Sequence, residues 1–399
     1  MKKIFAFLSA FMLFAFMPAS VLAASAAETS VDPESLRGTT LYVYNWGEYI
    51  SDGSEGSLDV NKEFENRYGI KVEYTNYASN EDMYAKLLGG GANYDVIIPS
   101  DYMIERLIKE DLLEKLDFSN IPNYSYIPEE YKDLFFDPAN EYSIPYTFGM
   151  VGLIYNTAMV DEEIDSWDVM WDEKYSGQIL NFNNPRDAFG IAQYYLDIDI
   201  NTENVEDWQR AAEKLKEQKP LIQSYVMDEI FNKMENGEAA IAPYYAGDFL
   251  TMADNNEDLA FVYPKEGTNV FVDSMCIPKG AQNKAAAELY INFMLETDIA
   301  TANANFICYG CPHTGVQASD DYDLKGEEVL YPASVDFKTE YFHNLSPETL
   351  SLMTNLWDEL KIDGANNTAV YIALVAVVVV VIVIAVVSII RKKRRENDN

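Results

Sequence analysis

The chain has 399 residues, with 65 Asp and Glu against 29 Lys and Arg, a net charge of −36. A surface that acidic argues against binding nucleic acid and favours cationic partners. The same acidity also keeps an exposed domain soluble, so charge alone does not choose between the two.

In chain order, the N-terminus reads as a signal peptide over residues 1–26. It has a basic start (Met1-Lys2-Lys3), an apolar run over residues 4–16, and small residues in "PASVLAASAAE". Cleavage is expected after Ala23 or Ala26, and no Cys lies there to take a lipid. "LYVYNWGEYI" opens as a strand and breaks at Asn45. Its tip carries Trp46, Glu48 and Tyr49 around Gly47. Two aromatics and an acid on a turn suit the holding of a cation.

"LDVNKEFENRYG" predicts a helix ending at Gly69, "IKVEYTNY" a strand, and "NEDMYAKLLGGG" a helix stopped at Gly89. "YDVIIPS" predicts a short buried strand, and "DYMIERLIKEDLLEKL" an amphipathic helix. Strands alternating with helices give an α/β lobe, whose ligands sit beyond the carboxyl ends of the strands. Both "NWGEY" and "PSDY" occupy that place. "YSIPYTFGMVGLIYN" then enters a second α/β region. "SGQILNFNNPRDAFGIAQYYL" and "GEAAIAPYYAGDFLTMA" each read as strand, turn and helix. "NVFVDSMCIPKGAQNKAAAELYINFML" reads as a strand, a break and a long helix. The chain is expected to cross between regions near Ser143–Tyr146 and Val270–Ser274. No internal repeat is found.

Near the C-terminus, "GANNT" (364–368) reads as a spacer. Residues 369–390 are uncharged and mostly Val, Ile and Ala, followed by the basic tail 391–399 with "RKKRR". At about 1.5 Å per residue such a run crosses a hydrocarbon core of roughly 30 Å. A single-pass transmembrane helix is therefore expected, with the body outside and the basic tail inside. The alternative is a buried core helix. Of three Cys, Cys308 and Cys311 form a C-x-x-C with His313 nearby. A local disulfide and two free thiols both fit; zinc would need a fourth ligand, and the other His is His343.

"LYVYNWGEYI", "NEDMYAKL", "YDVIIPSDYMIERL", "YSIPYTFG", "WDEKYSGQIL" and "VFVDSMCIPKGAQNKAAAELYINFML" occur in that order. In this the chain resembles the spermidine/putrescine-binding proteins of polyamine ABC transporters, over residues 38–360. The resemblance implies an α/β, two-lobed type II periplasmic-binding-protein fold joined by crossover strands. It divides the chain into a first lobe (38–144), a second lobe (145–270), a return to the first (271–345) and a C-terminal helical segment (346–363).

It also implies a ligand site made of Trp46, Glu48, Tyr49, Ser100, Tyr102, Asn184, Asp187, Tyr245, Asp248, Phe271, Asp273 and Tyr309. Asn184 is neutral where many spermidine binders have Asp. A Gln contact of the family has no clear counterpart near "EYFHN". The implied partners are a polyamine and the permease of an ABC importer, with the membrane reached through the C-terminal helix. No cofactor, metal or nucleic acid is implied.

A polyamine needs such residues. Each ammonium taken from water needs a carboxylate and hydrogen-bond acceptors. Aromatic faces add cation–π attraction of about 0.5–2 kcal/mol and cover the methylenes. Each residue also has an ordinary account. Trp46 and Phe271 suit a core, Asp187 and Asp248 suit helix caps, and Asp273 suits a buried salt bridge. The tyrosines suit packing, and Ser100 and Asn184 suit turns. Competing functions are the same fold carrying ferric iron, thiamine or a cationic amino acid, or an anchored glycosidase using two carboxylates. No nucleophile elbow, H-E-x-x-H or phosphate loop is present.

Overall fold

The computed structural model describes residues 29–90 and 93–362. The first lobe is built on β1 (Thr40–Trp46), which buries Leu41 and Val43 and exposes Tyr42 between them. It pairs in parallel with β2 (Lys71–Tyr77) on one side and β3 (Val96–Ile97) on the other. The connecting helices are α1 (Val60–Tyr68) and α2 (Asn80–Leu88). As expected, α1 stops at Gly69, which takes a left-handed conformation (φ 66°) that costs glycine little.

After β3 comes α3 (Asp101–Lys109). The sequence extends this helix through Leu116, but it ends at Lys109. Asp111 turns left-handed (φ 56°), and Leu113 leaves the helix to bridge Pro278. Tertiary pairing here overrides an uninterrupted amphipathic pattern.

The second lobe is entered by β4 (Ser143–Asn156). Its first half pairs with the long antiparallel β9 (Thr268–Cys276); its second half pairs with β7 (Ile241–Tyr245) and β8 (Leu259–Val262). With β5 (Ile179–Phe182), β6 (Ile222–Val226) and β10 (Thr339–Tyr341), the strand order is β2-β1-β3-β9-β4-β7-β5-β6, with β8 on β4 and β10 on β9. β4 and β9 are thus the strands that cross between lobes. The remaining helices are α4 (Pro185–Tyr195), α5 (Val205–Gln218), α6 (Glu229–Glu235), α7 (Ala246–Asn255), α8 (Lys284–Met294), α9 (Thr297–Ile307), α10 (Thr314–Ala318) and α11 (Pro347–Ile362). One apolar cluster centres on Phe64, Tyr290 and Phe293 of the first lobe; another centres on Trp167, Phe189 and Trp208 of the second.

Where β4 and β9 cross, Gly149 lies opposite Phe271. A Cβ built on Gly149 would sit 2.6 Å from the tip of that ring. Gly149→Ala should therefore cost about 1–3 kcal/mol by overpacking, read as a lower denaturant midpoint. An unchanged midpoint would show that the ring has room to move.

The expected C-terminal membrane span is corrected. Among the described residues no helix is long and apolar enough to cross a membrane. The last of them, α11, spans 16 residues and carries Glu348, Asp358, Glu359 and Lys361. It would reach about 24 Å, and it packs on the second lobe through Trp357, against Phe189 and Tyr225. The signal peptide (1–26), spacer (364–368), run 369–390 and tail 391–399 lie outside the described residues.

The C-x-x-C holds no disulfide. Cys276, Cys308 and Cys311 are all free and buried. Cys308 takes the left-handed position that ends α9. His313 is structural: its Nδ1 accepts from the Val316 N–H at 3.1 Å and its Nε2 lies 3.0 Å from the Leu295 carbonyl. No group of three or more His, Cys, Asp or Glu among the described residues is placed to hold a metal ion.

Candidate functional site

A cleft opens between the lobes where strands of both sheets end. β1 ends at Trp46, and the following turn supplies Glu48 and Tyr49. Ser100 and Tyr102 follow β3. The β5–α4 junction supplies Asn184 and Asp187, and the β7–α7 junction supplies Tyr245 and Asp248. The crossing strand β9 adds Phe271 and Asp273, and the end of α9 adds Tyr309. All twelve expected residues line one space of about 650 Å³, counted with its open mouth. That size is ordinary for a small-molecule site.

Asp273 is the centre of the arrangement. It is 4% exposed, and its Oδ2 accepts from the Tyr49 hydroxyl at 2.8 Å. Its Oδ1 has no hydrogen-bond partner, and no cationic side chain among the described residues pairs with it. The salt-bridge account of Asp273 therefore fails. Burial pushes its carboxyl up to about 6, outweighing the hydrogen bond from Tyr49. An orphaned buried acceptor is costly, and a donor entering the cleft removes that cost.

Asp187 takes two donors on Oδ2, the Tyr245 hydroxyl at 2.8 Å and the Asn184 amide at 2.7 Å. Burial still pushes it up to about 7. It does not cap α4. Asn184 does, accepting from the Arg186 N–H at 3.0 Å, so its turn-forming role is real. No side chain caps α7 either, so Asp248 is free for the cleft; burial holds it well above the usual carboxylate range.

The aromatic walls are braced edge to face. Tyr309 stands perpendicular to Tyr49 with centroids 4.8 Å apart, and Tyr245 meets Phe271 at 5.5 Å and 78°. Trp46 is fixed by its indole N–H, which donates to the Ile98 carbonyl at 2.9 Å. Phe271 is both core and wall, 8% exposed and on the cleft. The Tyr102 hydroxyl turns away to the carboxylate of Glu81 at 3.1 Å. Rings held by their edges leave faces that attract cations.

Sequence reasoning missed several residues that belong to this environment. Asp101, Asp228, Tyr244 and Phe342 also line the cleft. Arg186, between two expected residues in "NNPRDAF", is fully buried with its guanidinium 4.4 Å from the Phe342 ring centroid. Its Nη2 donates to Asn201 at 2.9 Å, while Nε and Nη1 have no partner. The available signal was its place inside the motif. Asp228 reads in sequence only as a residue before a short helix.

A cleft between two α/β lobes, lined by buried acids and braced rings, fits the capture of a cationic solute. The profile of the bacterial extracellular solute-binding protein family matches residues 60–327. The chain belongs to that family. It is 32% identical over 325 residues to the spermidine/putrescine-binding periplasmic protein of Escherichia coli, covering 81% of this chain and 91% of that one. To the putrescine-binding periplasmic protein SpuD of Pseudomonas aeruginosa it is 28% identical over 344 residues, covering 80% and 91%. The solved structure of the spermidine/putrescine ABC transporter substrate-binding protein PotD from Streptococcus pneumoniae superposes with a TM-score of 0.66 at 33% identity, covering 81% and 99%.

The expected single-pass localisation, with a membrane contact through the C-terminal helix, is corrected as well. These relatives of the solute-binding protein are named periplasmic in both bacteria, and no described helix can cross a membrane.

Proposed function

We propose that this solute-binding protein captures a polyamine, putrescine or spermidine, and delivers it to the permease of an ABC importer. The observation that carries the reading is the Oδ1 of Asp273, buried and without a partner inside an acid-lined, aromatic-walled cleft. Glu48, Asp187, Asp248 and Asp273 hold ammonium groups. Trp46, Tyr49, Tyr102, Tyr245, Phe271 and Tyr309 cover the methylenes, and Ser100 and Asn184 orient the acids. The ligand is bound and released unchanged; the family is one of binding proteins, and no catalytic step is proposed.

Calorimetric titration of the purified chain with putrescine, spermidine and spermine tests this. Ligand at about 100 times its Kd should add roughly 2.7 kcal/mol of stability, seen as a raised Tm. No shift with any polyamine, together with a shift from arginine, thiamine or ferric iron, would sink the assignment.

A further inference from the structure

The mouth of the cleft carries an acid that neither the sequence motifs nor the comparisons assign. Asp228 lies between β6 and α6 on the second lobe and lines the cavity. It stands just before α6 but makes no capping bond with its side chain. Among the described residues its carboxylate has no hydrogen-bond or ion-pair partner. It rests instead against Gly47, in the first lobe's turn. A Cβ at position 47 would collide with the carboxylate, lying 2.9 Å from its Cγ. Gly47 has no positive φ, so what the glycine provides here is space rather than conformational freedom.

The neighbour of Gly47 is Glu48, held in a left-handed conformation (φ 47°). Its carboxyl is raised by burial and then by the Asp228 charge, and Asp248 is raised by burial and by both of them. Three acids from two lobes thus meet at the mouth without a cationic side chain among them. Asp248 is buried while Glu48 and Asp228 still face solvent, and drawing these like charges together on closure is opposed unless a cation enters. The unpartnered Oδ1 of Asp273, on a residue 96% buried by its 4% exposure, independently marks the interior of the same cavity as a place for a donor.

We propose that Asp228 is a further ammonium-binding carboxylate of the second lobe, beside Asp187 and Asp248, pairing with Glu48 of the first lobe so that the lobes close on one terminal ammonium of the ligand while Asp273 takes another. The inference rests on the polyamine reading and deepens it. An ammonium has three N–H donors and can serve an acceptor from each lobe at once. A monoamine satisfies only one of the two stations, so 1-aminobutane should bind far more weakly than putrescine.

Titration of the parent and of Asp228→Asn with spermidine, putrescine and 1-aminobutane decides it. Asp228→Asn should raise the Kd for both polyamines about tenfold or more, the scale of one charge-assisted hydrogen bond. The Tm of the ligand-free protein should stay level or rise, since a like charge is removed. Should Asp228→Asn fail to fold, Gly47→Ala, which pushes the carboxylate aside, should give the same loss of affinity. A parent that binds polyamines together with variants that bind equally well overturns this inference alone. So does a lowered ligand-free Tm with unchanged affinity, the mark of a helix cap. A parent that binds no polyamine overturns the function proposed above and this inference with it.

Discussion

Asp273→Asn should weaken polyamine binding by roughly two to nearly four orders of magnitude, the effect of losing one partner of a desolvated charge pair at about 3–5 kcal/mol. The ligand-free protein should lose no stability. In the folded state the Asp273 carboxyl is pushed up to about 6 by burial, whereas an unfolded Asp titrates near its ordinary value of 3.8. A carboxyl whose folded pKa is raised binds more protons when folded. Its ionisation therefore costs stability as pH rises from the unfolded value through about 6, by about 3 kcal/mol once fully charged. Asn removes that cost and keeps an oxygen for the Tyr49 hydroxyl. The expected result is a Tm level or raised at pH 7.5, beside a collapsed affinity. A fallen Tm with intact affinity would return Asp273 to a structural role.

Affinity should also fall steeply with acid. Asp187 is pushed up to about 7 and Asp273 to about 6, both mainly by burial, and Asp248 shifts in the same direction. The ligand's ammonium groups, which resemble that of Lys, stay charged across the range. A cation binds the ionised carboxylates, so below each pKa binding must release a proton. The Kd then rises up to tenfold per pH unit for each group. From pH 8 to pH 5 that is about two decades for Asp187 and one for Asp273, up to roughly a thousandfold. Titrations at pH 8, 7, 6 and 5, in two buffers of different ionisation enthalpy, measure both the Kd and the protons released. A flat Kd across that range would mean the acids do not meet the ligand's charge.

The first lobe shows how far local pattern carries. The strand read in β1 and the Gly69 that ends α1 are local features, and they fold as they read. α3 does not. Its pattern continues to Leu116, but the pull of Leu113 toward Pro278 ends the helix at Lys109. β3 shrinks to Val96–Ile97, since only those two residues find partners on β1. At the C-terminus the helical segment read at 346–363 folds as α11, docked on the second lobe through Trp357, and no described helix is long and apolar enough to cross a membrane.

By itself the sequence determined which residue types stand at the strand ends: Trp46, Glu48 and Tyr49 on one turn, Asn184 and Asp187 on another, Phe271 and Asp273 on a crossing strand. Those are local facts, fixed by where apolar runs stop, and a site at strand ends follows from them. What the sequence left open was the electrical state of those residues. Asp187 and Asp248 could have capped helices, and Asp273 could have met a buried Lys or Arg. Only the tertiary structure decided that Asn184 is the cap, that Asp273 keeps an unpartnered oxygen, and that Asp228 closes on Gly47 from the other lobe. The physical reason is that desolvation and charge pairing depend on neighbours far apart along the chain. Asp228 and Glu48 stand 180 residues apart in the chain, and they are brought near each other only when the two lobes fold against each other.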